Sequence, residues 1–591
     1  MALAVGLVLG IALDWAIIGW LLMVPTSWPY VLVHVTFVAA IVAVCGWFED
    51  EYGSSSRASI PMVLGGVTGI GGLVLIVLIL IFASPMNATK LHELGKVEIA
   101  EEQIEVADTD HIRVVPKESA MFLGNQKIGK GNLGARLEVG DYDVQRVNNE
   151  IVWLAPLEFR GFFKWLSAEK RSPGYVVVSA ENIDADPRLV EGYEMQYLPS
   201  AYFGLDLHRH LYYSGYSSYS YKEATFEIDD EGKPYWVVSL TRPQAGFDGH
   251  TLQLVVVVDP ETGEITEYKP GETPAWVDRA FPETVAEELS YYWGQYVHGF
   301  WNSLFGNKDV MQISGVSAES DADVFLVHNK ETENSIWICG MTSPSSSDNA
   351  LTGYMTMDSI TGKMVFYTVD SIGTESAALQ AASGAPEVAR QSSYHASQAI
   401  LYNVYGVETW IVPILSENNI PQMIALVYGA NTQHVAVGQS KGEALEAYKN
   451  LLAELQKGNV VPTDVGETER VTDTVVRINW IVVGGKPVGY IVLNEHPNQV
   501  FAVPRDISAE MVVTQPGDSV AITYLDTTEE VVSVKSFDNL ALNLTKSEPQ
   551  QAVEAEEAAE TSRTVEELRK QQEELQKQMD AINEALDQVA P

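Results

Sequence analysis

The sequence predicts a membrane-anchored, multidomain α+β protein. Three features carry that prediction: long apolar runs open the chain, one hairpin phrase recurs within it, and its end follows a heptad pattern. At 591 residues the chain is too long for one hydrophobic core, and the usual domain-size prior gives roughly three to five units.

The first unit, 1–86, is read as three transmembrane helices. The runs Ala2–Val24, Trp28–Phe48 and Ile60–Ser84 each approach the roughly 20 residues that cross the hydrocarbon as a helix. No Lys or Arg precedes the first run, which argues against a cleaved signal peptide. Trp15, Trp20, Trp28, Tyr30 and Trp47 fall near the expected ends, where amphipathic rings prefer the interface. The spacings Gly6-x-x-x-Gly10 and Gly65-x-x-x-Gly69 permit close helix approach and are read as oligomerisation contacts. Asp14 lies inside the first span, where a carboxylate is a suspect for a proton or ion path, the alternative being a structural role against neighbouring backbones. Arg57 stands against Lys90 and Lys96 across the third span, a difference of one charge that leaves the side of the C-terminal region unresolved.

Lys and Arg total 37 against 79 Asp and Glu, a net charge of −42. Such a surface repels phosphate backbones, so nucleic acid is excluded as a partner. Anionic headgroups are disfavoured for the same reason, and attachment to the lipid bilayer falls to the three helices. The two cysteines, Cys45 and Cys339, provide no disulfide framework and no paired metal motif. Cys339 reads as a buried strand cysteine, since nothing near it supplies a base.

The recurring phrase is "VVVVDPETGEITEY" at Val255–Tyr268 and "YMTMDSITGKMVFY" at Tyr354–Tyr367. A β-branched run, an Asp-x-x-Thr-Gly corner and a returning strand spell a β-hairpin, with Gly263 and Gly362 free to take the left-handed conformation that closes it. An aromatic strand precedes each hairpin, around Trp236 and Trp337, and a third such strand surrounds Trp410, followed by a turn at Gly429-Ala430-Asn431. A helical stretch follows each; the last opens with Ser440 as cap and Glu443 three places on. The pattern predicts three tandem antiparallel hairpin-plus-helix modules at 186–290, 291–392 and 393–458, packed together because one alone buries too little apolar surface.

Gly232, Tyr235, Trp236 and Val237 with Asp259, Thr262 and Gly263, then Trp337 with Asp358, Thr361 and Gly362, resemble the phrase of PepSY-type modules, over about Phe226–Leu455. That resemblance implies a binding or inhibitory role outside the cytoplasm, such as restraint of a peptidase at the membrane. The whole layout is also similar to bacterial or phage-encoded membrane proteins, a resemblance that brings no activity with it.

Residues 87–185 are expected to form a juxtamembrane α/β domain, with the Trp and Phe of "IVWLAPLEFRGFFKWL" in its core. Residues 468–542 hold five short alternating strands that resemble an OB-fold barrel, here structural because basic and stacking residues are few. An acidic linker at 543–561 leads to a helix at 562–590. There Val565, Leu568, Leu575, Met579, Ile582, Leu586 and Val589 alternate by threes and fours, with Gln572 at one seam position, as a self-associating coiled coil does.

For chemistry, "GLDLHRHLYY" is the candidate metal site. On a strand, Asp206, His208 and His210 would share one face; the alternative is a pair of histidines stacked among tyrosines. No nucleophile elbow, zinc-protease pair, phosphate loop or dinucleotide fingerprint occurs, and no cofactor is implied. The expectation is a non-catalytic scaffold or binding protein forming a homo-oligomer at the membrane, where a protein partner is also possible. The alternatives are a PepSY-like peptidase regulator and a metal-dependent enzyme centred on Asp206, His208 and His210.

Overall fold

The computed structural model describes residues 2–52, 59–100, 103–130, 133–315, 324–329, 332, 334–345, 349–457, 468–483, 486–505, 507–525 and 531–542. The acidic linker and the coiled-coil positions from Val565 to Val589 lie outside the described residues. The chain divides into two units, Met1–Asp464 and Val465–Pro591.

Among the described residues, three helices are long and apolar enough to cross a membrane, over Leu3–Leu21, Val31–Asp50 and Ile60–Met86. The first begins as an α-helix, Ala2–Leu13, and widens into a π-helix from Asp14 to Leu21. The second, Val31–Tyr52, is the middle of the bundle, and glycines set how closely its neighbours approach. A Cβ on Gly6 would lie 3.0 Å from the Val42 Cα, and one on Gly10 3.1 Å from Val38. On the third helix, Ser59–Met86, a Cβ at Gly65 would come within 2.5 Å of the Ala43 nitrogen. Gly69 faces Ala40 at 3.5 Å. The glycine pairs expected to join separate copies thus pack helices of one chain against each other.

Four sheets of five, four, six and five strands follow among the described residues, each holding four antiparallel strands paired in sequence order, the second of them carrying a buried tryptophan. The first sheet runs Asp143–Val147, Glu150–Phe159, Ser172–Ser179 and Arg188–Met195. The second runs Ser220–Ile228, Pro234–Ala245, Asp248–Val258 and Ile265–Tyr268. Phe325–His328, Ser335–Thr342, Ala350–Asp358 and Met364–Gly373 form the third. Ile400–Val404, Val407–Leu415, Pro421–Tyr428 and Val435–Gly438 form the fourth. The plan is therefore used four times, not three. The first sheet also extends past the boundary expected at residue 185, because Arg188–Met195 pairs with Ser172–Ser179.

The two Asp-x-x-Thr-Gly corners are built alike. Gly263 N–H donates to the Asp259 carbonyl at 2.8 Å, as Gly362 does to Asp358. Each Asp side chain accepts from the next two turn amides, and the glycines sit at φ +76 and +73. A left-handed backbone at that position excludes most side chains.

Each tryptophan clasps the chain that precedes its sheet. The indole N–H groups of Trp153, Trp236, Trp337 and Trp410 donate to the carbonyls of Val115, Tyr197, Phe281 and Gly373 at 2.7–3.0 Å. A buried indole must find such a partner or lose the hydrogen bond it had with water. The clasps make the contacts between sheets circular. Gln145 exchanges two hydrogen bonds with Ile228, Phe281 N–H reaches the Ser359 carbonyl, and Gly373 N–H reaches Gly429. The last sheet meets the chain that leads into the first sheet: Ser119 donates to the Asn419 carbonyl at 2.7 Å, and Asn403 donates to the Ile104 carbonyl at 2.7 Å. The result is a propeller-like circuit of four sheets.

The described residues of the second unit are mostly strand. Thr468–Val483 pairs with Lys486–Leu493 along its C-terminal half and with Ser519–Leu525 along its N-terminal half, and Val500–Pro504 and Val531–Asn539 complete a ladder that returns to its first strand. Val475, Ile491, Phe501, Ile522 and Val534 fill its interior, with Met511 among them from a short 3₁₀ turn.

Candidate functional site

The first strands of three sheets and the segment ahead of the fourth converge on one chamber of about 260 Å³. Asp143 comes from the first sheet, Glu223 from the second, Phe325 from the third, and Gln398 from just ahead of the fourth. Arg113, Lys117, Arg279 and Glu283 enter from the connecting segments, so cations and carboxylates are matched in number. Arg279 is buried, with Nη2 2.8 Å from Asp143 and Nη1 3.6 Å from Glu223. Arg113 donates from Nη1 to the Leu326 carbonyl at 3.0 Å and lies over the rings of Trp153 and Phe325, at 5.0 and 5.8 Å.

Burial dominates the electrostatics here. It raises the Glu223 carboxyl to about 7, with Arg279 pulling it down and Asp143 pushing it up. Burial likewise takes Glu227 to about 7 and Asp278 to about 6. Burial opposes the charge on Arg279 as well, but Asp143, Glu223 and Glu227 outweigh it and hold the guanidinium protonated. Arg279 thus links the first and second sheets, and burial lifts the Glu223 and Glu227 carboxyls toward neutral pH.

A second constellation joins the membrane helices to the second sheet. Thr26 N–H donates to the Ser217 carbonyl at 2.7 Å, Tyr212 donates to Val24 at 2.9 Å, and Arg209 donates from Nε to Trp20 at 3.2 Å while its guanidinium covers the Trp20 ring. At the third helix, Ser84 donates to Asp248 and Lys90 reaches the Gln244 carbonyl at 2.8 Å. Tyr30 lies 3.4 Å from His250 Nε2, and the other ring nitrogen of His250 is 3.2 Å from Glu288. Lys222 is paired with the same carboxylate at 2.9 Å. Burial alone would raise Glu288, but His250 and Lys222 more than offset it and bring the carboxyl down to about 2.

No known protein family matches this chain, and no curated protein does. Among solved structures, the cobalt-substituted Synechocystis ACO aligns at 9% identity over 51% of this chain, with a TM-score of 0.13. The match spans about half of that structure too, 53%. A likeness of that size carries no argument about fold or activity.

Asp14 finds its partner in His34, a residue not singled out in the sequence. The His34 Nδ1 lies 3.0 Å from the Asp14 carboxylate and Nε2 lies 3.2 Å from the Val24 carbonyl. A carbonyl only accepts, so Nε2 donates to Val24, and the hydrogen-bonded pairing gives each polar side chain a partner within an apolar bundle.

The expected metal site is overturned. Asp206 is the N-cap of a short helix, Leu207–Leu211, and accepts from the Arg209 amide at 2.8 Å. A helical turn removes the period-two face on which the three ligands were to meet. His208 stacks on Tyr221, and His210 donates from Nε2 to the Gly263 carbonyl at 2.8 Å. Burial raises the Asp206 carboxyl. Among the described residues no group of three His, Cys, Asp or Glu side chains is placed to hold a metal. Cys339 is buried in its strand as expected, and burial lifts its thiol to about 12.

Proposed function

We propose that this protein is a non-catalytic membrane-anchored scaffold whose circuit of four sheets binds partner proteins beside the bilayer, assembled as a homo-oligomer through the helix at 562–590. The observation that supports it is the hydrogen-bonded junction. Thr26, Tyr30, Ser84 and Lys90 fasten both connections of the membrane bundle to the sheets, so the body is held at a set height and orientation, as a platform requires. The terminal barrel, which we read as OB-like, adds a further contact surface. The mass of the full-length protein purified in detergent tests the assembly. An oligomer that dissociates when residues 562–591 are removed is the expected result, and a full-length monomer at micromolar concentration refutes it.

A second reading, a PepSY-like regulator of a membrane peptidase, is favoured by the two hairpins at Asp259 and Asp358. It requires the sheets to lie outside the cytoplasm. Protease added to intact cells should then digest them, and complete protection removes this reading. For the third alternative, a metal-dependent enzyme, no group of three His, Cys, Asp or Glu among the described residues offers support, and elemental analysis that finds no bound transition metal removes it.

A further inference from the structure

Two clusters of large apolar side chains stand uncovered, each attached to the foot of a membrane helix. The first follows the helix Glu283–Gln295. Tyr292 and Tyr296 pack with Ala88 and Leu91, directly beyond the end of the third span, and Phe300 joins that cluster. The next turn leaves Trp301 70%, Leu304 54% and Phe305 75% exposed, with the Trp301 and Phe305 rings stacked 5.9 Å apart. Spacings of three and four place all three on one face of the turn.

The second cluster lies by the first span. Phe163 is 81% and Phe203 57% exposed, and Leu166 is also uncovered. Phe162 bridges them, 5.6 Å from Phe163 and 6.1 Å from Phe203. A single residue ties this cluster to the bundle: Arg209 donates to the Phe203 carbonyl from Nη1 and to the Trp20 carbonyl from Nε, both at 3.2 Å. Trp165, expected in the core with these phenylalanines, is buried, while Phe163 points outward.

We propose that these two clusters are interfacial wedges, inserted into the headgroup and upper acyl region of the bilayer on either helix foot. Isolated exposed hydrophobics need no explanation, but a contiguous apolar patch does. Both patches are continuous with residues that pack on the ends of membrane-spanning helices, and that continuity selects lipid as the occupant. Their composition agrees: Trp, Phe and Leu partition into the interface by apolar area and ring amphipathicity, with Lys164 and Arg209 beside the second cluster. The charge of −42 on the chain makes electrostatic adhesion to anionic lipid unfavourable, so apolar insertion is the mode left to the body. The wedges would stop the four-sheet body from tilting about its helical stalk.

Nitroxide labels on Phe305→Cys and Phe163→Cys test this, in a full-length Cys45→Ser background with Cys339 left buried, reconstituted in nanodiscs of phosphatidylcholine. Glu417→Cys, on an exposed turn of the fourth sheet, is the aqueous reference. Both wedge labels should relax several-fold more with oxygen than with a water-soluble nickel chelate, relative to Glu417. Equal behaviour at all three sites overturns the proposal. Protection from both reagents also overturns it, because a protein then covers the patches.

Discussion

Replacing Arg279 with Met removes the cation paired with both Asp143 and Glu223 in the chamber. Arg279 is almost wholly buried, and breaking a buried ion pair from one side leaves unpaired carboxylates that destabilise by about 3–5 kcal/mol. At about 2 °C per kcal/mol for a large unit, the melting temperature should fall by about 6–10 °C at pH 8. The loss should shrink in acid. Glu223 and Glu227 titrate at about 7 in the folded chain against an ordinary 4.5, so the folded state binds the extra proton between those values. Stability from these groups is present in full below pH 4.5 and is lost as pH rises through 7. The ceiling for each is about 3 kcal/mol, and partial hydration of Glu223 brings its realised share nearer to about 1–2 kcal/mol. In the Arg279→Met chain protonation neutralises the stranded acids, so the deficit at pH 5.5 should be less than half that at pH 8. Adding Glu223→Gln should restore part of it. Melting of the detergent-solubilised protein across pH 5–8 measures all three chains. A variant as stable as wild type at pH 8, or a deficit independent of pH, refutes the assignment of Arg279 as the hub.

Gly65→Val should break the packing of the third membrane helix on the second, because the new side chain meets the Ala43 nitrogen and Ala39 oxygen; Gly66→Val, which has open space, should be neutral, and the yield of monodisperse protein separates them. Asp206→Ala should destabilise by about 1 kcal/mol through the lost cap, with elemental analysis showing the same transition-metal content as wild type. Glu288 sits at about 2 when folded against 4.5, so its stabilisation is complete above pH 4.5 and disappears as pH falls toward 2. In Glu288→Gln that part of the acid transition should be missing from the unfolding profile.

The apolar runs were legible because length and hydropathy alone specify a spanning helix, and the hairpins at Asp259 and Asp358 because Asp, Thr and Gly each have a defined place in the turn. The first sheet was missed as a copy of the plan. Its corresponding connection, between the third and fourth strands Ser172–Ser179 and Arg188–Met195, reads "AENIDADP" at 180–187 and lacks the Thr-Gly signature. The Trp in its second strand was the surviving signal. At Asp206 the strand reading overlooked Leu207 and Leu211, four apart and both fully buried, which with a preceding Asp spell a capped helical turn. The chamber was invisible for another reason: Arg113, Asp143, Glu223 and Arg279 belong to distant segments, and only tertiary contacts bring them together. His34 escaped because a histidine flanked by valines carries no local mark of a partner on another helix.

The circular contacts also impose an order on biosynthesis. Ile104 waits for Asn403, and Ser119 for Asn419, partners made some three hundred residues later. Until the ribosome has delivered the fourth sheet, the nascent chain carries an open flank beside an already inserted membrane anchor, the kind of exposed intermediate that chaperones attend. Premature termination anywhere before residue 400 would leave a membrane-bound fragment with that flank permanently bare.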